Sequence, residues 1–209
     1  MAQAAEIRWW RLYLRSRVKE DYLTRKRHYW ARVLDAAGVR IEPGMEVLDA
    51  GCGPAGIFIH LESCRVTALD PLLDAYQAGL PHFHPADYPW ARFVNRQLEA
   101  YEPESPFGLV CCLNAINHVA DLPRCLDVLT RSLRPEGKML LGVDVHRYGL
   151  LKTLFRILPG DILHPQQHDL QDYRAMLEAR GLQVERCVRL KKGRIFHYQV
   201  LVASRASAR

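Results

Sequence analysis

Along the first 40 residues, apolar side chains recur at helical spacing: Ile7, Trp10, Leu14 and Val18, then Trp30, Val33, Leu34 and Ala37 ahead of Gly38, a helix stop. Two amphipathic helices therefore precede the turn at Pro43-Gly44. From there short apolar strands alternate with helices. Met45 to Ala50 reads as a buried strand, Ala55 to about Ser63 as a helix, and Arg65 to Leu69 as a second strand ending at Asp70. A helix from Leu72 to Ala78 stops near Gly79, and prolines make the stretch from Pro81 to Pro89 a loop. Arg92 to Asn95 is a short third strand, and Phe107 to Asn114 a well-buried fourth. Leu122, Cys125, Leu126, Leu129 and Leu133 form one helical face, and Pro135-Glu136-Gly137 turns the chain into a strand from Lys138 to Val145. Residues 149 to 158 read as helical up to Pro159-Gly160. A helix from Leu170 to Arg180 then stops at Gly181, and Leu182 to Leu190 and Arg194 to Ala203 make a hairpin.

Repeated strand, helix, strand units predict an α/β fold with a doubly wound, mostly parallel sheet of seven strands, finished by the antiparallel C-terminal hairpin. Residues 1–40 are read as an N-terminal helical lid on a sheet domain at 41–209, the whole forming one domain. Ligands of open sheets bind beyond the carboxyl ends of the strands, where strand order reverses, so the residues just after each strand carry the chemistry.

A chain of 209 residues, about half of them apolar, can bury such a core. It has no long apolar run and no signal-peptide pattern, which predicts a soluble, cytoplasmic protein. The six cysteines include no C-x-x-C pair and read as buried free thiols. His82-x-His84 and the pair His164 and His168 lack further ligands, and Pro165 breaks the helix that chelation by the second pair needs, so no metal is expected. The net charge of +6 is uneven, since residues 1 to 40 hold ten Lys/Arg against four acids. Such a stretch fits the wet face of a helix, nucleic acid, anionic lipid or an acidic substrate.

Gly51-Cys52-Gly53-Pro54-Ala55-Gly56 fits G-x-G-x-x-G between a strand and a predicted helix, and Asp70 follows Gly51 by nineteen residues, placed for ribose hydroxyls. The alternative is a glycine turn needed only for packing. Asp49 discriminates between two nucleoside ligands. A carboxylate two residues before the first glycine repels a pyrophosphate, whereas it attracts the ammonium and sulfonium of S-adenosylmethionine.

With "VLDAGCG" at 47–53, Asp70 closing the second strand, "FGLVCCLNAINHV" at 107–119 and "LRPEGKMLL" at 133–141, the chain resembles the class I S-adenosylmethionine-dependent methyltransferases of small-molecule type, over about residues 20 to 205. The resemblance implies a Rossmann-like fold, S-adenosylmethionine as cofactor and S-adenosylhomocysteine as product. By position, it implies that Asp49 holds the methionine end through its shell, that Gly51, Cys52 and Gly53 form the close-approach turn, and that Asp70 binds ribose. Pro71 would lie against adenine, Gln97 and the Leu98 N–H would read the adenine edge, and Asn114 would face the sulfonium and the acceptor. Ala55 replaces the usual third glycine with Gly56 one place later, Gly108 replaces a common acid, and Gln97 stands where an acid is usual.

Methyl transfer is an in-line displacement, so alignment and a dry pocket matter most, and a base is needed only when the acceptor must lose a proton early. His118 and His146, on loops after the fourth and fifth strands, are the candidates for catalysis, each weighed against a structural histidine. His164 and His168 are candidates for acceptor contact. Among the N-terminal aromatics Trp9, Trp10, Tyr13, Tyr22, Tyr29 and Trp30, most are read as core, with Tyr22 and Tyr29 preferred as substrate contacts. The expected partner is a small-molecule acceptor, with no stable nucleic-acid complex and a transient membrane-surface contact as an option for the basic N-terminus. Rival readings are an RNA methyltransferase, a membrane-lipid or quinone methyltransferase, an NAD-dependent oxidoreductase and a catalytically silent relative.

Overall fold

The computed structural model describes residues 2–146, 168–192 and 196–206. The chain folds as α1 (Ala2–Leu14), α2 (Lys19–Ala37), β1 (Glu46–Ala50), β2 (Arg65–Leu69), α3 (Leu73–Gly79), β3 (Ala91–Val94), β4 (Phe107–Cys112), α4 (Leu122–Ser132), β5 (Leu133–His146), α5 (Leu170–Glu178), β6 (Leu182–Lys192) and β7 (Phe196–Arg205). The seven strands lie in the order β3-β2-β1-β4-β5-β7-β6. β1 to β5 run parallel, while β7 is antiparallel to both β5 and β6. Strand order reverses between β1 and β4, where Asp49 pairs with Cys111, so the crevice for a ligand opens beyond Ala50 and Cys112.

The sheet is covered on both faces. α1, α2, α3 and the segment after β1 pack on one, with Trp30, Phe58 and Tyr76 at its centre. α4 and α5 close the other over Leu48, Val110 and Leu141. β4 is buried at all six positions, as its unbroken apolar run requires.

Several sequence expectations are corrected. The helix predicted from Ala55 to about Ser63 is absent; two 3-10 turns, Gly53–Ala55 and Ile57–His60, take its place. Ile57, Phe58 and Ile59 are all fully buried, and three successive residues cannot share one face of an α-helix. The carbonyls that a helix would have paired are met by side chains: Trp30 Nε1 donates to Ala55 O (3.1 Å), Trp90 Nε1 to Phe58 O (2.9 Å) and Arg27 Nε to Ile59 O (3.1 Å). β5 begins at Leu133, not Lys138, because its pairing with β4 continues across Pro135-Gly137 through a register shift between Phe107 and Leu109. Val18 lies beyond the end of α1 and is exposed rather than packed. The predicted helix at 149–158 lies outside the described residues. Five of the cysteines are buried free thiols, and Cys187 is half-buried.

Candidate functional site

The turn after β1 is built by conformations that side chains resist. Gly51 (φ 68°) and Gly53 (φ 58°) are left-handed, and a Cβ on Gly51 would overlap that of Ala115, just past β4. The N–H groups of Gly51 and Cys52 both donate to Leu69 O at the end of β2 (2.7 and 3.1 Å). Gly53 N–H donates to Asp70 Oδ2 (2.9 Å), and Leu72 N–H to Asp70 Oδ1 (2.9 Å). All three turn N–H groups are thereby consumed within the protein. The turn's remaining backbone polar groups are carbonyl oxygens, and no α-helix N-terminus follows it, so the site lacks both features that bind a pyrophosphate. It is built for a ligand carrying positive charge.

Two buried carboxylates and a half-buried lysine set its electrostatics. Asp49, 2% exposed, accepts from Phe58 N–H (3.0 Å), and Gly56 leaves room for its carboxylate. Burial raises its pKa to about 7, with Asp70 adding to the rise and Phe58 N–H and Lys26 opposing it. Asp70 is raised to about 6, again mainly by burial. Lys26 of α2 is lowered to about 8 by burial, against the attraction of Asp49. Its Nζ lies 4.4 Å from the Trp30 ring centroid and 5.2 Å from that of Tyr29.

Lys26 was missed by sequence reasoning because it sits in the run Arg25-Lys26-Arg27, which reads as a solvated face. The available signal was its place at helical spacing between the buried Tyr22 and Trp30.

Asn114, two residues past β4, is exposed and left-handed (φ 59°), the sole described non-glycine residue with positive φ. Strain of this kind at a strand end is characteristic of a working position. Pro71 is half-buried after Asp70. Gln97 is exposed at the start of the 3-10 turn Leu98–Ala100, and Leu98 is buried beneath it. Tyr29 is half-buried, and burial with the nearby Asp144 carboxylate of β5 raises its pKa. Tyr198 of β7 lies in the same quarter: it is buried beside the Asn114 backbone, and its pKa is raised by burial, Tyr29 and Asp144.

Tyr22 is brought elsewhere. It is buried among Tyr13, Arg17, His82 and Tyr88, none of which follows a strand of the sheet. His118 is exposed at the end of the 3-10 turn Ile116–His118 beyond β4. His168 is half-buried, with Nδ1 3.8 Å from Asp172 Oδ2 and its ring against Tyr173. His146 is the last residue of β5, with its side chain outside the described residues, and His164 lies outside them altogether.

α1 roofs the donor end of the crevice. Tyr76 Oη donates to Glu6 Oε1 (3.0 Å), and the Trp10 ring comes within 3.9 Å of where a Gly53 Cβ would stand. A groove of about 380 Å³ at the opposite, amino end of the strands is lined by Glu46, Arg65, Trp90 and Arg92, and no residue following a strand enters it. Among the described residues no cluster of His, Cys, Asp and Glu is placed to hold a metal ion, and no helix is long and apolar enough to cross a membrane.

Six parallel strands with β7 inserted antiparallel between β5 and β6, and a tight glycine turn at the point of reversal, define the class I S-adenosylmethionine-dependent methyltransferase fold. The chain belongs to the Methyltransferase domain family, whose profile matches residues 22–186. It is 25% identical over 100 residues to the ubiquinone biosynthesis O-methyltransferase of Rickettsia bellii (strain OSU 85-389); the match covers 47% of this chain and 41% of that protein. In fold it is similar to the 1,6-didemethyltoxoflavin-N1-methyltransferase of Burkholderia thailandensis, solved with 1,6-didemethyltoxoflavin and S-adenosylhomocysteine (TM-score 0.64, 20% identity, 87% of this chain and 78% of that one). It is likewise similar to the magnesium protoporphyrin IX methyltransferase of Synechocystis PCC 6803, solved with S-adenosylhomocysteine (TM-score 0.61, 21% identity, 88% and 84% covered).

Proposed function

We propose that the protein transfers a methyl group from S-adenosylmethionine to a small-molecule acceptor and releases S-adenosylhomocysteine. The observation that carries this reading is the glycine turn whose N–H groups are all spent internally, beside two buried carboxylates. That surface suits a cationic nucleoside and disfavours the pyrophosphate of a dinucleotide. The small-molecule acceptor follows from the relatives, which methylate compounds of that kind according to their names.

When bound, the donor supplies a methyl carbon already activated by a sulfonium. The chain's own residues bind and align it. Asp70 takes the ribose hydroxyls with the lone pairs left after Gly53 and Leu72. Pro71 and Leu98 hold the adenine between them, with Gln97 at its edge. Lys26 pairs with the donor's carboxylate, and Asp49 sets the negative potential beneath the methionine end through Gly51, Cys52 and Gly53. Asn114 marks the passage from donor to acceptor.

Tyr29 contacts the acceptor, and His168 borders it. His118 or His146 orients the acceptor or takes its proton, a step needed only for a hydroxyl, thiol or carbon acid. Trp10, Tyr29 and Trp30 exclude water, which strengthens every charge interaction in the crevice.

Calorimetric titration tests the reading. Binding of S-adenosylmethionine and its demethylated product, lost in Asp70→Ala and absent for NAD, is the expected result. A folded protein that binds NAD and neither sulfur nucleoside overturns it.

A further inference from the structure

All four large apolar side chains that stand exposed among the described residues fall between positions 9 and 18: Trp9 (53%), Leu12 (61%), Tyr13 (37%) and Val18 (60%). Helical spacing explains why they gather. Ile7, Trp10 and Leu14 face the core, which turns Trp9 and Leu12 to the opposite side of α1, with Tyr13 on its flank against Trp10 and Tyr22. The outward side chains are ordered rather than loose: Trp9 stacks on Tyr13 (4.8 Å, 9°), and the Arg17 guanidinium lies 4.1 Å over the Tyr13 ring. Between residues 5 and 18 the chain carries four arginines, Arg8, Arg11, Arg15 and Arg17, and one acid, Glu6, already bonded to Tyr76.

We propose that α1 and the turn after it form a docking surface for an anionic lipid bilayer. An apolar strip bearing Trp and Leu and bordered by arginines is what an interfacial helix presents: the apolar side chains enter the headgroup boundary while the guanidiniums meet lipid phosphates. Other occupants fit less well. A second copy meeting this strip across a two-fold axis would set arginines against arginines. A nucleic acid offers bases to Trp9 and Tyr13 but nothing to bury Leu12 and Val18. Because the inner face of α1 roofs the glycine turn, docking brings the mouth of the crevice to the bilayer surface, where an apolar acceptor dissolved in lipid would be supplied. The surface stands independently of the methyl-transfer reading.

The test is co-sedimentation of the full chain with vesicles of phosphatidylcholine alone and of phosphatidylcholine mixed with phosphatidylglycerol. The expected result is binding at least tenfold stronger to the anionic vesicles and weakened by salt. Trp9→Ser with Leu12→Ser should reduce it at least tenfold, and Arg8→Gln with Arg15→Gln should remove its salt dependence. Both pairs alter exposed positions, so unchanged circular dichroism and melting temperature separate lost docking from lost folding. No binding to anionic vesicles at low salt, or equal binding by the Trp9 and Leu12 variant, overturns the proposal. So does tight binding of RNA in place of vesicles, or a solution dimer that Leu12→Ser dissociates.

Discussion

Asp49→Asn isolates the energetic consequence of placing a carboxyl beneath the glycine turn. The group is 2% exposed, and burial raises its pKa from 3.8 to about 7. A folded-state pKa above the unfolded one means that the native protein binds the extra proton between about pH 4 and pH 7. Stability from this group is therefore fully present below pH 4 and lost as pH rises through 7. The gap of about three pH units corresponds to about 4 kcal/mol. Asparagine imitates the protonated acid and keeps an oxygen for Phe58 N–H. The difference in unfolding free energy, variant minus parent, should start near zero at pH 4 and climb to a plateau above pH 7. The rise is about 4 kcal/mol, and the whole curve lies about 1–3 kcal/mol lower where the new amide leaves a hydrogen unpaired. Asp70 and Lys26 titrate in both proteins, and because each is coupled to Asp49 the difference carries their shifts together with its own. Urea titrations followed by circular dichroism across this pH range measure it. A flat difference, or a variant less stable than the parent at pH 8, would refute the assignment of Asp49 as a strained buried acid.

Lys26→Met removes a desolvated ammonium, so stability at pH 7 should hold or rise by about 1 kcal/mol. Affinity for S-adenosylmethionine should fall about tenfold to a hundredfold with the lost charge-assisted bond, read by calorimetry; unchanged affinity would remove Lys26 from the site. Asn114→Gly relieves a left-handed residue and should stabilise by about 1 kcal/mol in denaturant titrations while lowering turnover. A Cβ on Gly142 would overlap the Tyr198 hydroxyl, so Gly142→Ala should cost about 1–3 kcal/mol. Adding Tyr198→Phe should recover part of that loss, and additive losses in the double variant would show that the two side chains do not meet.

What the sequence discloses and what it hides differ for physical reasons. Strands β1, β2 and β4 are legible because a parallel strand covered on both faces must be apolar throughout, and Asp49 and Asp70 stand out as acids at the ends of such runs. The glycine turn is legible because few other sequences tolerate its backbone. The segment 55–63 misleads because a run of buried apolar residues carries no period, and burial by indole and guanidinium donors from distant helices cannot be seen locally. Lys26 is hidden for a related reason: only the fold shows which cation of a basic run turns inward. The three outward apolar side chains of α1, Trp9, Leu12 and Tyr13, are hidden because a helix with two apolar faces resembles a core helix in sequence.

The missing helix after β1 alters how the N-terminal region has to be understood. In its absence the carbonyls of Ala55 and Ile59 are satisfied by Trp30 and Arg27 of α2. α2 is thus part of the scaffold that fixes the donor turn, and it delivers Lys26 and Tyr29 to the crevice from the same rigid element. α1 has a different standing. It reaches the donor end through Glu6 and Trp10 while leaving an apolar face to solvent. A segment tied to the core on one side and unburied on the other contributes less to global stability than one enclosed on all sides. The division between scaffold and cover therefore falls at the turn between α1 and α2. Fixing the donor turn and regulating access to it are then tasks of different helices, and a surface bound by the outer face of α1 would act on access without disturbing Asp49, Asp70 or Lys26.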